Sequence, residues 1–237
     1  MSLPGPRARL GRVKALLAIA ALAGGVQLAN CGTAQGDTPP EAAATPKSEA
    51  PEETKLPKGW RAPQSDAERE AVQRIERGAD DLLETLMGRL TSAIGDAGGL
   101  GEAARVCATE AQLLTNGVAE KHGIAIGRTS VKLRNSSENR PRPWVQPWLK
   151  EHADRKAAEI DPVVGIVEQD GRTYARLIRP IGIQPLWLNC HGPEANIPAE
   201  VKAVLAQHYP DDAATGYAIG DLRGALWAEF EVPATVH

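Results

Sequence analysis

The sequence predicts an α+β domain over residues 65–237, with apolar residues at helical spacing first and strand-like runs, interrupted by short helical stretches, after them. Three observations carry this. Ser65-Asp66-Ala67-Glu68 forms a capping box ahead of Val72, Ile75, Ala79, Leu82, Leu83, Leu86, Met87 and Leu90, which recur on one helical face. Asp170-Gly171 separates "VVGIVEQ" from "RTYARLIRPI", and such a dipeptide between strand-like runs signals a tight hairpin. "RGALWAEFEV" ends the domain as a strand that places Ala225 and Trp227 in step and Phe230 and Val232 out of step.

The elements follow in order. A long amphipathic helix opens the domain, and the Gly-rich "GDAGGLG" is expected to break it. A second helix is expected from Glu102 to about Lys121, stopped by Gly123; Ala103, Ala104, Cys107, Ala111, Leu114 and Val118 share one face of it, so Cys107 points inward. "IAIGRTS" reads as a strand, and "NSSENRPRPW" as irregular chain. A short helix is expected around Trp148 to Ala158, and another from Pro198 to His208 with Pro in its first turn. No internal repeat is visible.

With 237 residues, 42% hydrophobic and 24% charged, the chain suits one globular domain with extended ends. Arg7, Arg9, Arg12 and Lys14 precede the apolar run "ALLAIAALAGGVQLA", which is short and rich in Ala and Gly and reads as a secretory signal peptide over residues 1–30. Leu28-Ala29-Asn30-Cys31 follows and resembles a bacterial lipobox, which makes Cys31 the lipidation site and the membrane the anchor; plain secretion and an uncleaved anchor are the alternatives, and all three place the domain outside the cytoplasm, on the periplasmic side of the envelope. Residues 31–64 are mostly Pro, Ala, Glu and Thr, with too little apolar surface to offset ordering entropy, and read as a tether. The net charge of −3 includes the four N-terminal cations, so the rest is more acidic than the whole, which argues against nucleic acid as partner.

Beyond Cys31, the exported part holds two cysteines, Cys107 and Cys190. In an oxidising compartment such a pair reads as a disulfide. No further Cys-x-x-Cys or His-x-x-His spacing supports zinc. Cys190-His191 also matches the end of the haem attachment motif C-x-x-C-H, with Trp187 where the first Cys belongs. Four segments in this order, "VCATEAQ", "GIAIGRTSVKLRNSSENRPRPW", "LNCHG" and "YPDDAATGYAIGDLRGALWAEF", resemble the c-type haem proteins of PAS-like fold, which occur as small exported cytochromes and as input domains of membrane-bound sensor kinases.

The resemblance implies a PAS-like antiparallel sheet with long N-terminal helices, and a haem iron held between His191 and Cys107. It makes Cys190 the thioether attachment of a haem c with a single covalent bond, since the indole of Trp187 cannot form one. It places Trp187, Arg128, Arg134 and Asn135 beside the haem, the arginines as partners for propionates. On the residues alone, Trp187 is equally an ordinary core side chain, and Arg128, Arg134 and Asn135 equally pin a Pro-rich loop through backbone carbonyls.

His122, His152, His208 and His237 read as surface or capping residues, and Asp211-Asp212 and Gly220-Asp221 as turns and caps. With no acid and base paired for catalysis and both axial positions filled by the chain, the expectation is a protein that is not an enzyme, acting in electron transfer or in redox or gas sensing. No output segment follows His237, so a separate, unidentified redox or sensor partner is expected. The alternative from another class is a disulfide-stapled exported PAS-like domain that binds a small molecule or peptide without haem.

Overall fold

A computed structural model describes residues 56–234. The expected signal peptide at 1–30, the lipidation site Cys31, the tether as far as residue 55, and His237 lie outside the described residues. The described chain runs β1 (Trp60–Arg61), α1 (Asp66–Ala93), α2 (Gly99–Thr109), α3 (Ala111–His122), β2 (Ala125–Thr129), α4 (Gln146–His152), β3 (Val163–Gln169), β4 (Arg172–Gly182), α5 (Leu188–His191), α6 (Ala199–His208) and β5 (Leu222–Glu231). One five-stranded sheet, in the order β1-β3-β4-β5-β2 with every neighbour antiparallel, joins the helices in the expected α+β architecture. Asp170 at φ 52° and Gly171 at φ 74° make the two-residue turn between β3 and β4, in which Gln169 faces Arg172. Among the described residues no helix is long and apolar enough to cross a membrane.

The capping box forms at the head of α1: Glu68 N donates to Ser65 Oγ at 3.2 Å and Ser65 N donates to Glu68 Oε2 at 3.2 Å. Glu68 also takes a two-pronged bond from Arg61, at 2.6 and 3.0 Å. That bond ties α1 to β1 and corrects the boundary of the tether, which was expected to reach residue 64. Trp60 pairs with Val167 and Arg61 with Ile166, and the Trp60 ring meets Trp144 at 5.9 Å. One aromatic and one cation therefore draw a Pro-rich stretch onto the sheet edge.

Helix α1 packs Ile75, Ala79, Leu82 and Leu86 on Ile126, Ile166, Leu177, Leu226 and Ala228 of the sheet. The other sheet face buries Val163, Ile178, Ala225 and Trp227 against Val145, Trp148 and Leu149 at α4. Strand β5 is thus covered on both sides, which explains why its apolar residues fall out of step: Ala225 and Trp227 serve one face, Leu226, Ala228, Phe230 and Val232 the other.

Three helical expectations change. The Gly-rich stretch does not simply end α1; a π-turn over Ile94–Gly98 carries the chain to Gly99, whose φ of 65° turns it into α2. The single helix expected over 102–121 is two, α2 and α3, meeting at Glu110, which Arg89 holds at 2.7 and 2.8 Å. The cause is tertiary: Ala104 and Ala108 of α2 pack with Ile197, Val201 and Leu205 around α6, while Ala111 and Val118 of α3 join the core under α1. The helix expected over 148–158 ends at His152, because Ala157 N is drawn to Gly220 O at 2.9 Å beside the Lys156–Asp221 bridge.

Candidate functional site

The end of α2, the chain after β2, the turn before α5, α5 itself and α6 enclose a cavity of about 190 Å³. Six side chains singled out in the sequence line it together: Cys107 from α2, Arg128 from β2, Arg134 from the following loop, Trp187 from the 3₁₀ turn Pro185–Trp187, and Cys190 and His191 from α5. Leu83, Leu86 and Leu90 of α1 and Leu205 of α6 supply an aliphatic wall. Asn135 does not line it; its Oδ1 accepts from Ser137 Oγ and Glu138 N and so closes a local turn.

His191 is held in one tautomer. Its Nδ1 lies 2.8 Å from the carbonyl of Ala214, which can only accept, so Nδ1 carries the proton and Nε2 keeps its lone pair. Arg223 Nε stands 3.3 Å from the same Nδ1, and two donors facing each other form no bond. Burial first, then Arg223 and Arg134, push the imidazole down to about 2, so it is neutral at physiological pH.

Both thiols are free. Burial raises Cys107, against the pull of Arg128 and Arg134, and raises Cys190 to about 11, helped by the neighbouring Cys107. Arg128 has a buried Nε with no hydrogen-bond partner, and burial lowers the guanidinium while Cys107 and Tyr209 support it.

Arg134 is already engaged. Its Nε donates to Asp212 Oδ2 at 3.0 Å, and its Nη2 to Cys190 O at 2.5 Å and Ala214 O at 3.4 Å. The carbonyl-pinning role is therefore the one the structure gives it, and of the two arginines Arg128 is the one left with donor capacity. Asp212 works as expected of a turn residue, its Oδ1 accepting Ala214 N at 2.8 Å. Asp212 and Arg134 together fix the segment whose carbonyl orients His191.

Sequence reasoning missed Arg223 and Tyr209. Tyr209 donates its hydroxyl to Cys107 O at 3.0 Å, filling a carbonyl at the end of α2 that the helix cannot satisfy itself. Of the remaining histidines, His122 Nε2 meets Asp81 Oδ2 at 2.8 Å, His152 Nδ1 meets Trp148 O at 2.8 Å, and His208 is exposed. None reaches the cavity. Among the described residues no group of three or more His, Cys, Asp and Glu is placed to hold a metal ion by protein ligands alone.

A family model described as Tll0287-like matches residues 50–230. The chain is also similar to the solved crystal structure of the cyanobacterial heme-protein Tll0287, with 20% sequence identity and a TM-score of 0.52, over 70% of this chain and 98% of that one. At that identity the likeness shows a shared fold. No curated protein matches the chain.

Proposed function

The chain belongs to the Tll0287-like family, and from the side chains gathered in its cavity we propose that it is an exported, non-catalytic c-type haem protein acting in electron transfer or in redox or gas sensing. The observation that carries the reading is His191. Its Nδ1 proton is fixed on Ala214 O and its ring is neutral, so Nε2 is a ready donor in the cavity that also holds Cys107 and Cys190.

The residues present fit a haem. The wall is aliphatic, and the unpartnered Nε of Arg128 needs an acceptor such as a propionate. His191 and Cys107, which line the same cavity, would hold the iron of such a group between them. At about 190 Å³ the cavity is smaller than the roughly 300–1,000 Å³ usual for ligand sites. Lining side chains must therefore swing out, and the exposed Met87 and Leu186 have room to do so.

Bound haem would supply a one-electron iron couple. Cys107 would serve as a thiolate despite its raised pKa, because coordination offsets burial and Arg128 and Arg134 favour the anion. Cys190 would add its S–H across one vinyl group, forming a single C–S bond with no oxidant needed, while Trp187 packs alongside. His191 and Cys107 would both hold the iron, which supports a role without substrate turnover. The PAS-like description belongs to the same proposal and is supported by the antiparallel sheet with α1 laid on one face. Export and lipid anchoring through Cys31 on the periplasmic side complete it, supported by the order of basic, apolar and Leu-Ala-Asn-Cys segments.

The test is spectroscopic. Protein made together with haem-maturation machinery is expected to be six-coordinate and low-spin when ferric, and to keep its haem when denatured. Cys107→Ala should keep haem, admit imidazole or cyanide at one axial position and raise the reduction potential. An unchanged spectrum and potential in that variant would remove Cys107 from the iron. Haem-free protein whose mass shows Cys107 and Cys190 two hydrogens short would replace the proposal with the disulfide-stapled domain.

A further inference from the structure

A second cavity, of about 310 Å³, lies across β5 from the first and shares Ser130, Arg223 and Gly224 with it. Three cations line it: Lys132, Arg155 and Arg223. Lys132 Nζ stands 4.9 Å from the centre of the Tyr217 ring and the Arg223 guanidinium 5.6 Å from it, so the ring lies against two positive charges. Neither cation has a carboxylate in ion-pair contact among the described residues; Lys132 Nζ reaches Thr215 O at 3.3 Å and Arg223 Nη1 reaches Lys132 O at 3.1 Å. Arg155 gives its Nη2 to the carbonyl of Glu159. Two acids also line the cavity. Asp221 is ion-paired with Lys156 Nζ at 2.6 Å, accepts from Ala218 N at 2.7 Å and feels Lys132 at longer range, and Asp154 is exposed. The surplus is positive. Val131, Leu149, Ala153 and Leu222 add an apolar wall, beside Ser130 and the ring of Tyr217.

We propose that this second cavity binds a small organic carboxylate, its charge on Lys132, Arg155 and Arg223 and its aliphatic body against Leu149, Leu222 and Val131. Inorganic phosphate would satisfy the cations and leave the apolar wall uncovered; an uncharged amide would cover the wall and leave the cations unmatched. The carboxylate matches both. The site does not depend on haem, although Arg223 sets the ligand one guanidinium away from His191.

The test is calorimetric titration of the purified protein with isobutyrate, isobutyramide and inorganic phosphate. Isobutyrate is expected to bind saturably and to weaken with added salt, with the amide silent and phosphate weaker. Lys132→Gln and Arg155→Gln, both at exposed positions, should each weaken isobutyrate roughly tenfold while leaving the far-ultraviolet circular dichroism unchanged. Arg128→Gln, in the first cavity, should leave it intact. No saturable binding, phosphate binding as tightly as isobutyrate, or loss in Arg128→Gln with Lys132→Gln unaffected would each overturn the proposal.

Discussion

The two faces of the sheet are built from different materials. Under α1 the contacts are aliphatic, Ile75, Leu82 and Leu86 on Ile166, Leu177 and Leu226, and the same layer continues through Leu83, Leu86 and Leu90 into the wall of the first cavity. On the opposite face Trp60, Trp144 and Trp227 meet in sequence at 5.9 and 6.1 Å. Cations close that face: Arg142 lies 4.6 Å over Trp227, and Arg176 lies 4.9 Å over Trp144 and bonds Glu229 at 2.6 Å. Indole rings with two torsions, locked edge to face and capped by guanidinium groups, leave little room to repack. Flexible aliphatic chains can open a space for a large ligand. The deformable side of the sheet carries the candidate site, and the rigid side carries the frame.

The largest effect should come from breaking the frame. Trp227→Ala removes a ring that touches Trp144, Arg142 and the bare backbone of Gly127, where a Cβ would sit 2.8 Å from the indole. It should cost about 3–5 kcal/mol in urea unfolding and leave the absorption spectrum of the folded fraction unchanged. A shifted spectrum at full stability would reverse the assignment of the two faces.

Asp212→Asn should act in the opposite sense, with a smaller loss of about 1.5–3 kcal/mol concentrated at the site. The Arg134 and Asp212 side chains are 10% and 12% exposed, so the remaining guanidinium cannot be fully compensated by water. The carbonyl that fixes His191 then loosens, and exogenous imidazole should compete for the His191 position. Unaltered imidazole access would show that the Asp212–Arg134 pair holds the loop alone. Leu86→Ala, at the border of core and cavity, should cost about 2 kcal/mol, near the low end for a buried leucine because the space it leaves joins an existing one. It should ease cofactor loading, measured as the fraction of purified protein carrying haem; unchanged loading would mean that the wall need not move.

What could be read from the sequence was what is encoded locally. The capping box at Ser65, the Asp170-Gly171 turn and the inward face of α1 are short-range signals, and the structure reproduces them. The bend at Glu110 is not local, since one unbroken apolar face serves two different partners on either side of it. Trp60-Arg61 was hidden for a similar reason, its pairing partners lying over a hundred residues away in β3. The site shows the same division. Cys190-His191 is a contiguous motif, and Cys107 sits on a readable helical face. Arg223 faces His191 across 32 residues of sequence and Tyr209 bonds Cys107 across 102, pairings that no spacing rule reveals.

The smallest effect tests the seam where the frame begins. Glu68 accepts from Arg61, Gln64 N and Ser65 N, and these bonds, led by Arg61 and opposed by burial, hold its carboxyl at about 2 against an ordinary value of 4.5. A depressed folded-state value means the carboxylate stabilises the fold at neutral pH, and that this contribution drains away as pH falls from about 4.5 through about 2. Glu68→Gln removes the charge at every pH and should cost about 1 kcal/mol at pH 7, in the range of a lost helix cap. The difference in urea midpoint between wild type and Glu68→Gln should therefore be largest near neutrality and close as the carboxyl protonates. A difference that stayed constant down to pH 2 would mean that β1 is held to the sheet by the Trp60–Trp144 contact and not by its ion pair with α1.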